Sequence, residues 1–214
     1  AASDVYKRQY IFKGGLMNQS NNKKRGFGTL GIILIIVVAL LVLTVPTYNR
    51  LAGSRENVNE SYAQVQNVVQ RRADLIPNLV NTVKGYSDYE GETLTKVTEA
   101  RAGINHASSP KELADANEEL SQAVRDINVV AEDYPDLKAN TQYTQLMDEL
   151  AGSENRISVE RSNYNQVVKE YNSDLKRFPT NIIAGVTGYK EAEYFQASEK
   201  AQDAPTVDFN SDKR

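Results

Sequence analysis

The 214-residue chain has no cysteine, no tryptophan and a single histidine, His106. Without cysteine there is no disulfide, no thiolate nucleophile and no sulfur-ligated metal, and the redox state of the compartment leaves no mark on the sequence. One histidine cannot supply the paired Glu-x-x-His elements of a di-iron helical bundle, so neither a metal site nor a cofactor is expected. His106 stands among Asn105, Ala107 and Ser108, where an ordinary exposed histidine is a better reading than a catalytic base. No Gly-x-Ser-x-Gly elbow, phosphate-binding Gly-x-x-x-x-Gly-Lys loop or Gly-x-Gly-x-x-Gly turn occurs. A net charge of −3 gives nucleic acid nothing to hold. The chain is expected not to be an enzyme.

One long hydrophobic run is present. Residues 27–45, from Phe27 to Val45, carry no charge, and Lys23, Lys24 and Arg25 precede them directly. At about 1.5 Å per residue the run approaches the ~30 Å hydrocarbon thickness of a bilayer, so a transmembrane helix is placed at residues 27–47. The run leads into Thr44, Val45, Pro46 and Thr47 without an A-x-A cleavage pattern, which reads as an uncleaved signal anchor. Residues 1–16 show no helical period and are expected to be a non-native leader before Met17; residues 17–26 form a short basic amino terminus. Comparing Lys23, Lys24 and Arg25 with Arg50 and Arg55, the positive-inside rule favours the domain that follows lying outside the cytoplasm.

That domain, residues 48–195, is periodic. Val58, Tyr62, Val65, Val69, Arg72, Ile76, Leu79, Val83 and Tyr86 recur in steps of three and four, a bundle-type seam with a kink expected at Pro77. A shorter helix carries Leu94, Val97, Arg101 and Ile104. Ser109-Pro110-Lys111-Glu112 is a serine cap, a first-turn proline and a capping-box glutamate, and it opens a helix with Leu113, Ala116, Leu120, Val124, Ile127 and Val130 inward. The last and longest helix, from about 140 to 178, aligns Tyr143, Met147, Leu150, Glu154, Ile157, Arg161, Tyr164, Val168, Tyr171, Leu175 and Phe178. The predicted fold is all-α: one N-terminal transmembrane helix, then an elongated antiparallel bundle of about four helices. Residues 196–214 lose the period and are expected to be disordered.

The irregularities are polar. Arg72, Arg101, Glu154 and Arg161 each interrupt an apolar seam, and a buried unpaired charge is costly. Either Glu154 bridges these arginines and fixes helix register, or the four line an interhelical groove for an acidic partner segment. Arg71-Arg72 beside Asp74 is read as internally satisfied and not as a nucleic-acid patch. The tyrosines on the seams, Tyr62, Tyr143, Tyr164 and Tyr171, are read as core residues with a hydroxyl at the rim. Ile182, Ile183 and Val186 form a short apolar patch that packs on a bundle end or meets a membrane surface or partner.

Taken in order, several stretches resemble the LemA family of bacterial membrane proteins: Tyr48-Asn49; Arg71 through Val80; Glu99-Ala100-Arg101; Glu154-Asn155-Arg156-Ile157; Arg161; Tyr164-Asn165; Tyr171-Asn172; and Phe178-Pro179-Thr180-Asn181 leading into Ile182-Ile183-Ala184-Gly185. The resemblance runs from the anchor to Phe195. It implies a helical bundle behind one membrane helix in the bacterial inner membrane and no known catalytic activity. It also implies a link, in some members, to the organisation of specialised membranes. Descriptions of the family put the bundle in the cytoplasm, against the charge argument. The expected function is a scaffold or protein-interaction module, with self-association or a membrane-protein partner; the alternative is an accessory or regulatory subunit of a membrane enzyme such as a protease system.

Overall fold

The computed structural model describes residues 24–85 and 91–196, the side chains from residue 28 onward. The expected leader, residues 17–23, Tyr86 and the tail beyond 196 lie outside the described residues. Among the described residues six helices follow in order: α1 Lys24–Lys84, α2 Glu92–His106, α3 Pro110–Ala131, α4 Pro135–Lys138, α5 Thr141–Lys176 and α6 Thr180–Thr187. No strand occurs among the described residues. The fold is all-α, with a long apolar helix first. Two short helices, α4 and α6, add to the elements that the periodicity indicates.

The chain divides into two units, Ala1–Pro46 and Thr47–Arg214. In the first, every large aliphatic side chain from Leu30 to Val45 is exposed. Water does not tolerate so long an uncovered apolar helix, whereas lipid requires one, because a helix satisfies its own backbone. Even the one hydroxyl near the end of the run is accommodated, since Thr44 Oγ1 donates to the Leu40 carbonyl at 2.8 Å. Among the described residues this is the one helix long and apolar enough to cross a membrane.

In the second unit the seams close on one core. Leu51, Val58, Val65, Val69, Ile76, Leu79 and Val83 of α1 are buried with Leu94, Val97 and Ile104 of α2, Leu113, Leu120 and Ile127 of α3 and Leu150, Ile157 and Val168 of α5. Helices α2 and α3 form a hairpin across residues 107–109. Their approach is close because small residues face each other: a methyl group added at Gly103 would stand 3.8 Å from Ala116 Cβ.

Local chemistry sets the helix ends. Ser109 caps α3, its hydroxyl accepting from the Glu112 amide at 3.2 Å. Glu112 reaches one residue further back than a standard capping box, taking the Ser108 amide and hydroxyl, each at 2.7 Å. Those two donors hold its carboxyl below the usual carboxylate range. Asn140 caps α5 in the same way, accepting from the Tyr143 amide at 3.0 Å. At its other end α5 stops at Lys176, and Phe178 is 80% exposed instead of completing the seam. The chain leaves the helical region at Arg177, with ψ 145°, and Pro179 disfavours that region for Phe178 as well. The seam also drifts near its start, where Leu146 is buried and Met147 only half-buried.

Candidate functional site

The four polar seam residues do not form one groove. Arg72 and Glu154 meet, while Arg101 and Arg161 have separate partners.

Arg72, on α1, is only 3% exposed. Its Nη1 donates to Asn117 Oδ1 at 3.0 Å and to Ser121 Oγ at 2.8 Å, both on α3, and pairs with the Glu154 carboxylate on α5. Ser121 Oγ is itself 3.2 Å from Glu154 Oε2. Burial holds the guanidinium pKa below its ordinary value, and the Glu154 carboxylate offsets only part of that shift. Three helices therefore share one charged knot. Because the Glu154 side chain is 41% exposed, the carboxylate keeps part of its hydration and the pair escapes the full desolvation penalty of a sealed ion pair.

Arg101, on α2, turns to a different task. Its Nε donates to the Ala73 carbonyl oxygen at 3.1 Å. Ala73 is the residue four before Pro77, and proline has no amide hydrogen to give it. The helix runs on through Pro77 with Ile76 and Leu79 buried on either side, so this carbonyl is an orphan inside the protein. Arg101 supplies the missing donor from the neighbouring helix.

Arg161, on α5, donates through Nη2 to the Gln196 carbonyl at 2.8 Å and lies over the Phe195 ring, 5.4 Å from its centroid. It is the last of a series. Residues 189–196 run without helix or turn along α5, and its side chains hold their backbone. Tyr171 Oη donates to the Lys190 carbonyl at 3.0 Å, and Tyr164 Oη to the Glu193 carbonyl at 2.8 Å. Asn172 takes both polar groups of Ala192, giving its amide hydrogen to the carbonyl at 2.9 Å and accepting the backbone amide at 2.8 Å. Asn165 does the same for Phe195, each bond at 2.9 Å. The two Tyr-Asn pairs are seven residues apart on α5 and serve positions three apart on the strap. Seven helical residues rise about 10.5 Å and three extended residues span about 10 Å, so the two repeats stay in register.

The strap ends on an aromatic cluster. Phe195 is buried edge-on against Tyr164, with ring centroids 5.0 Å apart, and 6.0 Å from Tyr62. Burial, with Tyr62 nearby, pushes the Tyr164 hydroxyl up to about 12. Beside the strap, Gln166, Lys169, Glu170, Asp174 and Tyr194 line an open groove of about 990 Å³ with charges of both signs. The Tyr-Asn repeat is the feature that seam analysis passes over: tyrosine on an apolar stripe reads as core, yet a pair repeated at seven residues on one helix is visible in the sequence.

The apolar patch divides. Ile182 is 58% and Val186 83% exposed, whereas Ile183 is half-buried. His106 is the last residue of α2 and is exposed.

Comparison with known proteins gives one consistent result. The LemA family model matches residues 61–209. A protein named LemA from Metamycoplasma hominis is 27% identical over 194 residues, covering 85% of this chain and 87% of the relative. Two magnetosome proteins are similar over comparable lengths. MamQ 2 of Paramagnetospirillum magneticum is 24% identical, with 86% of this chain and 79% of the relative covered. MamQ of Magnetospirillum gryphiswaldense is 23% identical, with 88% and 80% covered.

The backbone-serving side chains yield three tests. Arg101→Leu destabilises the protein by about 1–3 kcal/mol in chemical unfolding, the cost of an unsatisfied buried carbonyl. In a Pro77→Ala background, where Ala73 regains its helical donor, the same substitution costs about 1 kcal/mol less; equal costs in both backgrounds refute the link. For the strap, Asn165→Ala with Asn172→Ala removes four hydrogen bonds and speeds tryptic cleavage at Lys190 by about tenfold or more. Tyr164 adds a pH dependence. Its ordinary hydroxyl pKa is about 10 and its folded value about 12, so the unfolded state ionises first. Stability is full below pH 10 and falls as pH rises towards 12, a loss that Tyr164→Phe makes shallower in circular dichroism at alkaline pH.

Proposed function

We propose, for a chain that belongs to the LemA family, that it is a non-enzymatic scaffold tethered by a single membrane helix, whose helical domain docks other proteins at a bacterial inner membrane. The membrane-anchored character rests on the exposed apolar helix and on the LemA and MamQ relatives. The scaffold role is our reading. The observation that carries it is the use made of the polar seam: Arg72, Arg101, Glu154 and Arg161, with Tyr164, Asn165, Tyr171 and Asn172, are engaged in holding helices and strap together. Side chains committed in this way make a stiff frame, and they are poorly placed to bind and release substrate. In this reading Arg72 is a structural residue, since an acidic segment from outside could not reach a guanidinium so deeply buried.

The groove beside the strap is the docking surface that the fold leaves open. Its mixed charges suit a polar partner segment, with Lys169 able to meet carboxylates and Glu170 to meet basic groups. The name of the MamQ relatives places them with the magnetosome, which supports a role at a specialised membrane for this chain as well.

A photo-crosslinking residue at Gln166, in the native membrane, tests the reading. The expected outcome is discrete protein adducts that are absent when the crosslinker sits at Val129. Adducts with several proteins, or with a second copy of the chain, support the scaffold. Recovery of a single membrane enzyme in stoichiometric amount selects an accessory subunit instead, and turnover by the purified chain overturns both.

A further inference from the structure

Helix α6 is built inside out for a water-facing element. Its buried residues are Thr180 and Ala184, whereas Ile182 and Val186 face outward, and Phe178 just before it is also exposed. Its sequence, TNIIAGVT, has no charge anywhere. A short helix docked on a domain in water would turn both isoleucines and its valine inward and leave threonine at the surface, whereas here Ile183 is only half-buried, Ile182 and Val186 are exposed and Thr180 is buried. The arrangement here suits an apolar surrounding.

The position of α6 says which surrounding. Arg50 Nη2 donates to Thr180 Oγ1 at 3.2 Å, and Arg50 also pairs with Asp174 at 4.0 Å. The Tyr48 ring meets the Tyr189 ring edge-on at 6.3 Å, just past the end of α6. Tyr48 is three residues beyond Val45, where the apolar run ends. Chain connectivity alone keeps those two residues within about 11 Å. Tyrosines and arginines at the point where a chain leaves hydrocarbon are the usual occupants of the membrane interface. Exposed Lys176 and Arg177 stand at the adjacent end of α5; they pair with Glu191 at 3.0 Å and Asp174 at 3.2 Å, and their remaining donors face solvent, where lipid phosphates can meet them.

We propose that α6 is a second membrane contact: its outward face, Ile182 and Val186 with Phe178 beside it, lies in the headgroup–acyl boundary of the bilayer that residues 27–45 cross. An interfacial helix buries its apolar face about 5–10 Å deep in that boundary, a depth that side chains of this size can reach. The contact joins the domain to the lipid at a second point, so the anchor is no longer the sole tether. The inference rests on membrane anchoring and is independent of the docking groove, so it can fail while the scaffold reading stands.

The absence of tryptophan makes the test direct, because a single introduced tryptophan is the only indole in the protein. The full chain carrying Val186→Trp is reconstituted into phosphatidylethanolamine–phosphatidylglycerol vesicles with and without bromine on the acyl chains. The expected result is quenching of about half the emission or more by the brominated lipid. Val129→Trp serves as the control: it is exposed on α3, and its neighbour Val130 lines a small cavity with Val83. Val83 lies 35 residues along α1 from Tyr48, about 52 Å in a helix, so the control is expected to show little quenching. Ile182→Trp reads the same face should Val186→Trp lose helical signal. Quenching of both α6 variants no greater than that of Val129→Trp overturns the proposal. So does emission that shifts with protein-to-lipid ratio and not with bromine, which would assign the face to a second copy of the chain.

Discussion

A main-chain polar group removed from water must find a partner, and this requirement recurs from the apolar run to the strap. In the apolar run it is met internally, which is why residues 30–45 can be helical and uncovered. At Pro77 the helix cannot meet it, and Arg101 crosses from α2 to the Ala73 carbonyl. Along residues 189–196 no helix or sheet exists to meet it, and α5 provides tyrosine and asparagine side chains in place of a neighbouring strand. The three solutions differ in chemistry and answer the same demand.

The charges on the seams are engaged as well, Arg101 and Arg161 by main-chain carbonyls and Arg72 by side chains. A lone arginine among leucines and valines looks like a defect or a binding residue. Here each has a defined debt to settle: Arg72 joins α1 to α3 and α5, Arg101 completes α1, and Arg161 closes the end of the strap. Directional bonds of this kind tolerate no slippage, whereas apolar seams with a three–four period can slide by a turn at modest cost. In the structural reading of the seam charges, contacts of this kind are what gives the packing its register.

Much of the helical order is legible in the sequence because it depends on local periodicity. The seam from Val58 to Val83, the Ser109 cap and the end of α2 at His106 need only neighbours within a turn or two. What escapes such a reading depends on distant partners. Arg101 and Ala73 are 28 residues apart, Asn165 and Phe195 are 30 apart, and no periodicity links a helix to an extended segment. Phe178 fits the spacing of α5 and is nevertheless outside it, since spacing alone takes no account of Pro179. The patch at Ile182, Ile183 and Val186 is visible as composition, but which members face outward is decided by Thr180 and Ala184 packing inward.

The strap is recognised mainly through its main chain, and this separates two kinds of change. Most of its side chains can be rewritten without disturbing the asparagine bonds, because those bonds reach amides and carbonyls that every residue but proline carries; Phe195, sunk among tyrosines, and Tyr189, packed on Tyr48, are the exceptions. Length is another matter. A single residue inserted between Tyr164 and Tyr171 would turn one Tyr-Asn pair about 100° away from the other, and no choice of strap sequence could bring both back into reach. The segment is therefore permissive in letters and strict in count.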